Sequence, residues 1–332
     1  MGSPLNQAHK YPFINYLFLA LIGALSTLSF SPFNIKLSIL FSLIILIHSV
    51  VNATNFVEAF KRSFAWGLGY WISGTGWLIV SIYFYGKTDL MTSIVIILLM
   101  GMLLSIVFIA PISLIKLVKT NKDIFTSSIL FASFLTILEL FRFVLLGGFP
   151  WLLPGLIALD TTGQFLIPII GVYGLSLIIY FLSAFIALSF TYKRSIYLFS
   201  AILCLLIFLP HGNIQQEYSG ESLEIGIIQP SLDPFEKFQK EEMANIEQTL
   251  LDLSKEHMNA ELIIWPESPL PYLNSSPEMK SLLTKLNNAP VIISGAWEYK
   301  NNKLFNSLTI LGTNQSYFKR HLVPFGEYVP LK

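Results

Sequence analysis

The feature that most constrains this chain is the run of long apolar stretches through its first 210 residues. An apolar run of about 18 or more residues with few charges reads as a helix crossing a bilayer. Seven such stretches recur, roughly Tyr11 to Phe30, Leu37 to Val51, Phe64 to Phe84, Leu90 to Leu117, Phe125 to Leu146, Phe165 to Phe190 and Ile196 to Leu209. The second and seventh are short for a full span. The first follows Lys10, but no A-x-A cleavage pattern closes it, so it reads as a retained helix and not a signal peptide. Composition supports two solvents for one chain: 54% of the 332 residues are hydrophobic and 12% charged, against about 25% charged in an average soluble domain. Residues 1–210 hold 16 of the 41 charged side chains and residues 211–332 hold 25. The expected organisation is a transmembrane bundle of about seven helices over 1–210 and a polar α/β domain over 211–332.

Basic residues near helix ends set orientation, because positively charged loops stay cytoplasmic during insertion. With the amino terminus inside, the cytoplasmic side carries Lys10, Lys61, Arg62, Lys116, Lys119, Lys122, Lys193 and Arg194, and the other side only Lys36 and Lys87. An odd number of spans then places everything after about Pro210 outside the cytoplasm, in the periplasm of a Gram-negative cell. The net charge of +1 gives no basic field for a nucleic-acid partner. A single cysteine, Cys204, excludes an internal disulfide and a Cys-based zinc site, and no cofactor or metal is indicated.

Two details of the bundle go beyond hydropathy. Glu139 and Arg142 lie three apart in the fifth stretch, where ionisable groups are costly unless paired or facing a polar cavity; an intrahelical ion pair and a functional pair are both open. Gly67, Gly69, Gly74 and Gly76 in the third stretch suit close helix packing, with Trp66, Trp71 and Trp77 adding bulk.

After Pro210 short apolar runs alternate with charged helical patterns, the order of an α/β fold. Strands are expected at Leu223 to Gln229, Glu261 to Trp265, Val291 to Ser294 and Asn306 to Leu311. Helices are expected at Phe238 to His257 and from a Ser275 or Ser276 cap to about Asn288, and a tight turn at Asn301-Asn302. Glu267 follows the second strand in Leu262-Ile263-Ile264-Trp265-Pro266-Glu267-Ser268, at the sheet rim where α/β folds bind ligands. Taken alone, such a glutamate is usually a solvated surface group. Lys319, His321 and Glu327 gather with two prolines in Lys319 to Pro330. On residue type alone Arg320 and His321 read as a solvated basic turn, and Glu327 is open between structural and catalytic roles.

Together these motifs are distinctive. WPES around Glu267, FNS at Phe305 to Ser307 and KRHLVPFGEYVP from Lys319 resemble the nitrilase-like domain of apolipoprotein N-acyltransferases. Ser31-Pro32-Phe33, Glu139 to Arg142 followed by GGFPW, and Gly171-Val172-Tyr173-Gly174-Leu175-Ser176 agree with the same family. The resemblance implies a multi-span helical bundle followed by a partial αββα nitrilase-like (CN hydrolase) domain. It also implies an inner-membrane enzyme that moves an acyl chain from a phospholipid to the amine of a diacylglyceryl-cysteine at the start of an apolipoprotein. The implied triad is Glu-Lys-Cys: Glu267 matches the general base, Lys319 the lysine, and Glu327 a second glutamate associated with the active site.

No residue matches the cysteine. Cys204 lies inside the seventh apolar stretch, where a thiol stays protonated and inert, and only 13 residues follow Lys319. The sequence therefore reads as a carboxyl-terminally truncated product or half of a split enzyme, inactive by itself. The alternatives are a non-catalytic membrane protein that binds lipid or lipoprotein, and a membrane-tethered amidase.

Overall fold

The computed structural model describes residues 12–118, 123–145, 150–194, 220–233, 235–286, 289–323 and 327–328. The chain divides into two compact units, Met1–Gln215 and Gln216–Lys332.

The first unit is helical. Among the described residues its helices are α1 (Pro12–Leu25), α2 (Leu37–Val51), α3 (Phe56–Thr75), a single turn α4 (Leu78–Val80), α5 (Leu90–Phe108), α6 (Ile124–Val144) and α7 (Ile167–Thr191). Three described helical stretches are long and apolar enough to cross a membrane: Leu90–Leu117, Ile124–Val144 and Thr162–Thr191. Ile14–Ser29 and Leu37–Val51 are shorter apolar helices. The seventh apolar stretch, with Cys204, lies outside the described residues.

The third stretch differs from its expected bounds. Its helix starts at Phe56, eight residues before Phe64, because Asn55 caps it: the Asn55 side chain accepts from Glu58 N at 2.9 Å. Glu58 in turn accepts from Thr54 N at 2.6 Å, which ties down the residue just before the cap. Lys61 and Arg62, expected in a loop, therefore sit in the first turns of α3. The stretch does not run on smoothly to Phe84 either, since α3 ends at Thr75 and a π-helical turn occupies Ser81–Tyr85. Asp89 and Asp123 cap α5 and α6 by accepting from Thr92 N at 3.0 Å and Thr126 N at 2.8 Å.

Helices α1 and α3 approach at backbone distance. A Cβ on Gly69 would lie 1.7 Å from Ala20 O, and one on Gly23 would lie 1.9 Å from Trp66 O, so only glycine fits at either position. A hydroxyl relay crosses the same core: Trp66 Nε1 donates to Ser42 Oγ at 2.8 Å, and Ser42 Oγ donates to Ile22 O at 2.6 Å.

The second unit is a five-stranded mixed sheet in the order β1-β2-β3-β4-β5. Its strands are β1 (Ile225–Ile227), β2 (Leu262–Ile264), β3 (Val291–Lys300), β4 (Lys303–Ile310) and β5 (Ser316–Phe318). The first three run parallel, and β3, β4 and β5 form an antiparallel meander. Parallel strands need crossovers, and helix α8 (Met243–Lys255) lies between β1 and β2 in the chain, with α9 (Pro277–Lys285) between β2 and β3. Ile246 and Leu250 of α8 and Met279 and Leu282 of α9 pack in one core with Ile263, Trp265 and Ile292. That core covers one face of the sheet. On the other, Ile225, Ile227, Val291, Leu304, Leu308 and Tyr317 are exposed.

Several elements differ from expectation. Helix α8 begins at Met243 and not Phe238, because the preceding residues form successive turns, with Gln239 N bonded to Glu236 O at 2.9 Å and Glu242 N to Gln239 O at 3.2 Å. Strand β3 runs six residues past Ser294, because Glu298, Tyr299 and Lys300 find partners in β4. The Asn301-Asn302 turn joins those strands with φ of 51° and 59°, the left-handed geometry of a tight hairpin. Strand β5 was not expected.

Candidate functional site

The site is built at the exit of β2. Trp265 N donates to Ile293 O at 2.8 Å, and Gly295 N donates to Pro266 O at 3.1 Å, so the chain leaving β2 stays tethered to β3. Gly295 makes this possible, since a Cβ there would lie 2.2 Å from Ser268 N and 2.7 Å from Glu267 Cα. The Trp265 ring is buried beneath, its Nε1 donating to Ser254 Oγ of α8 at 3.0 Å. Ser268 is also buried and takes a φ of +41°, a turn that leaves Glu267 outermost.

Asn306 of β4 organises the polar groups. Ser268 Oγ donates to Asn306 Oδ1 at 3.0 Å, which fixes the amide so that Nδ2 faces the carboxylates. Nδ2 donates to Glu267 Oε1 at 2.5 Å and to Glu327 Oε1 at 3.2 Å. Lys319 follows β5, its backbone N bonded to Asn306 O at 2.9 Å. Its Nζ bridges the two acids, at 2.9 Å from Glu327 Oε1 and 3.3 Å from Glu267 Oε1. Glu327 Oε2 accepts from Val323 N at 2.7 Å. Two carboxylates thus share one ammonium and one amide.

The electrostatics follow from these bonds. The hydrogen bond to Glu327 is the main cause that raises the Lys319 pKa; burial opposes it, and Glu267 adds to the rise. Burial works against ionising Glu327, but hydrogen bonds from Lys319, the Val323 amide and Asn306 outweigh it and hold its pKa below the usual carboxylate value. The side chain of Glu267 is 66% exposed, against 21% for Glu327 and 31% for Lys319. Glu267 is therefore the acid more open to an incoming group, and the Glu327 side chain is the more covered of the two.

The three residues picked from the sequence, Glu267, Lys319 and Glu327, come together here. Asn306 was not picked, although it stands at the centre of FNS; an asparagine in a strand carries no charge signal, and only its cross-strand position gives it a role. His321 stays outside the cluster and is exposed, and Arg320 lies over the Tyr317 ring at 5.6 Å. Among the described residues no group of three or more His, Cys, Asp or Glu side chains is placed to hold a metal ion.

The bundle's ionisable pair is part of a larger cluster. Arg142 Nη2 lies 3.9 Å from Glu139 Oε1, and both residues are buried. Tyr180 Oη donates to Glu139 Oε1 at 2.6 Å, and Arg142 Nη1 donates to Trp151 O at 2.8 Å. The guanidinium also lies over the Trp71 ring, 5.1 Å from its centroid. The pair thus joins α6 to α3, α7 and the segment at Trp151. Gly147, Gly148 and Phe149 lie outside the described residues.

Comparison with known proteins places these features in one group. The family described as the apolipoprotein N-acyltransferase N-terminal domain matches residues 22–185. A protein named apolipoprotein N-acyltransferase from Wigglesworthia glossinidia brevipalpis is 31% identical over 326 residues, covering 93% of this chain and 65% of the relative. One of the same name from Coxiella burnetii is 30% identical over 329 residues, covering 93% of this chain and 66% of the relative. A third, from Haemophilus ducreyi, is 31% identical over 331 residues, covering 93% and 64%. The chain therefore spans slightly less than two thirds of the length of these curated relatives. The family match covers much of the bundle and the relatives align through both units, so the chain is similar to apolipoprotein N-acyltransferases over nearly all of its length.

Proposed function

We propose that this chain carries the acid-base and electrostatic part of a phospholipid-dependent N-acyltransferase. The acyl donor is a membrane phospholipid and the acceptor is the amino-terminal diacylglyceryl-cysteine of an apolipoprotein. The protein is multi-pass in a bacterial inner membrane, with residues 211–332 in the periplasm as the amino-terminal half of a nitrilase-like domain. The apolar, exposed second face of the sheet supports that last reading, because an αββα sandwich packs another sheet there.

The observation that carries the proposal is the bridge of Glu267 and Glu327 by Lys319 and Asn306. A thiol titrating near about 8.5 must lose its proton to attack an ester, and Glu267, exposed at the rim, is the base that receives it. Addition to the ester carbonyl puts negative charge on oxygen, and the Lys319 ammonium stabilises that charge. Glu327 keeps the ammonium charged and in place. Collapse gives a thioester and a lysophospholipid, and the lipoprotein amine converts the thioester to an amide in a second half-reaction. With Cys204 in an apolar stretch, the thiol comes from polypeptide other than these 332 residues. Both substrates are lipid-anchored, so a membrane bundle replaces a search through solution with positioning.

The test joins this chain to the part of the Wigglesworthia relative that it does not cover and assays transfer in phospholipid vesicles to a diacylglyceryl peptide. Glu267→Gln and Lys319→Ala are each expected to lower transfer by about 10²-fold or more, with membrane insertion unchanged. Normal transfer by either variant overturns the assignment. Residues 1–332 alone are expected to acquire no acyl label.

A further inference from the structure

At the end of the helical unit where α2 and α7 finish and α6 begins, the described residues line a cavity of about 140 Å³. Lys116 and Tyr192 contribute to its wall, with Val118 beside them and Phe131 and Leu188 behind. Lys116 Nζ donates to Val51 O at 3.0 Å, which uses one of the three N–H groups of an ammonium. Among the described residues Lys116 forms no salt bridge.

Among the described residues, the acids and arginines near this end are either committed or exposed. Arg62 donates to Ser49 O at 2.8 Å and pairs with Glu58. The carboxylate of Asp123 caps α6 at Thr126 N. Lys193 and Arg194 are exposed just past α7. The two acids are thus occupied, while a lysine with donors to spare faces a cavity large enough for one phosphate group. An ammonium held among apolar helices is costly unless an anion or water meets it.

We propose that this cavity binds the phosphate headgroup of an anionic phospholipid from the leaflet that meets this end of the bundle. A lipid fits better than a free phosphate ion because exposed apolar side chains lie next to the polar cavity: Val118 of its wall is 51% exposed and the neighbouring Leu117 68%, which gives acyl chains a surface to follow outward from the headgroup. Basic pockets between helices are a recurrent way to hold such headgroups. The site is independent of the acyl-transfer chemistry, and its lipid is a bound partner and not a donor.

The experiment uses the full chain in detergent, exposed to phosphatidylglycerol or phosphatidylcholine and read by native mass spectrometry. One retained phosphatidylglycerol is expected, with phosphatidylcholine held about tenfold more weakly or less. Lys116→Gln removes a charge-assisted hydrogen bond and is expected to weaken retention by about tenfold or more, while Lys116→Arg keeps it. Because Lys116 also holds Val51 O, a second variant leaves that bond intact: Val118→Phe crowds the cavity and is expected to reduce retention as well. Equal retention of both lipids overturns the proposal, and so does undiminished phosphatidylglycerol binding by folded Lys116→Gln and Val118→Phe. Displacement of the lipid by inorganic phosphate overturns the lipid source in favour of a free ion.

Discussion

Lys319 and Glu327 lie eight residues apart, and their shifted ionisations give the site a defined pH window. Glu327 binds its proton less tightly folded than unfolded, so its contribution to stability is complete above about pH 4.3, the unfolded value, and is lost as pH falls through the lower folded value. Lys319 is the opposite case: its contribution is complete below about pH 10.4, the unfolded value, and is lost as pH rises through the higher folded value. Denaturant midpoints taken from neutral pH down through the carboxylate range are expected to fall less steeply for Glu327→Gln than for the parent. Equal slopes would remove Glu327 from the network. Gly295 gives a second residue-scale prediction. Gly295→Ala brings a methyl group to 2.2 Å from Ser268 N, with an expected cost of about 1–3 kcal/mol and a displaced Glu267, read as a lower unfolding midpoint together with reduced transfer in the joined polypeptide. The charged members of the candidate site were singled out in the sequence by the motifs that hold them, WPES and KRHLVPFGEYVP, since on residue type alone Glu267 reads as a solvated surface group. Asn306 and Gly295 were not, because their importance lies in cross-strand distances that no local pattern encodes.

Among the elements, the parallel strands and their helices were legible through short apolar runs and helical spacing, and Ser276 caps α9 through Met279 N at 3.2 Å. Their bounds shifted where partners decide the outcome. Glu298, Tyr299 and Lys300 join a strand because β4 lies alongside, and the three residues of β5 are too few to show an alternation. The start of α3 was displaced for the converse reason, since Asn55 and Glu58 form a local cap that hydropathy alone does not weigh. The contact of α1 with α3 is testable at this scale. Gly69→Leu is expected to part the two helices and lower the temperature at which the detergent-solubilised chain aggregates, because the added Cβ has only 1.7 Å to Ala20 O. An exposed position on α1, such as Leu21→Ala, is expected to leave that temperature nearly unchanged. Similar effects of the two substitutions would show that the glycine contact carries no packing role.

For the whole molecule, the division into a hydrophobic and a polar region was plain in the charge distribution, and the proposed orientation rests on the basic residues near helix ends. Arg62 and Lys116 both donate to carbonyls at the end of α2, and His48 of α2 meets Thr191 of α7 at 3.0 Å, so basic segments distant in sequence gather at one end of the bundle. Alkaline phosphatase fused after Pro210 is expected to be active and a fluorescent protein fused there dark. The reverse pattern would put the polar unit in the cytosol and end the periplasmic reading. The sheet order carries a consequence for synthesis. Strands β1 and β2 emerge first, yet β2 lacks its second neighbour until β3 has been made, whereas the β3-β4-β5 meander closes through short connections. Local hairpins assemble faster than pairings across long loops, so the earliest part of the polar unit waits for the latest, and a ribosome that stalled before Val291 would leave a nascent segment open to proteases.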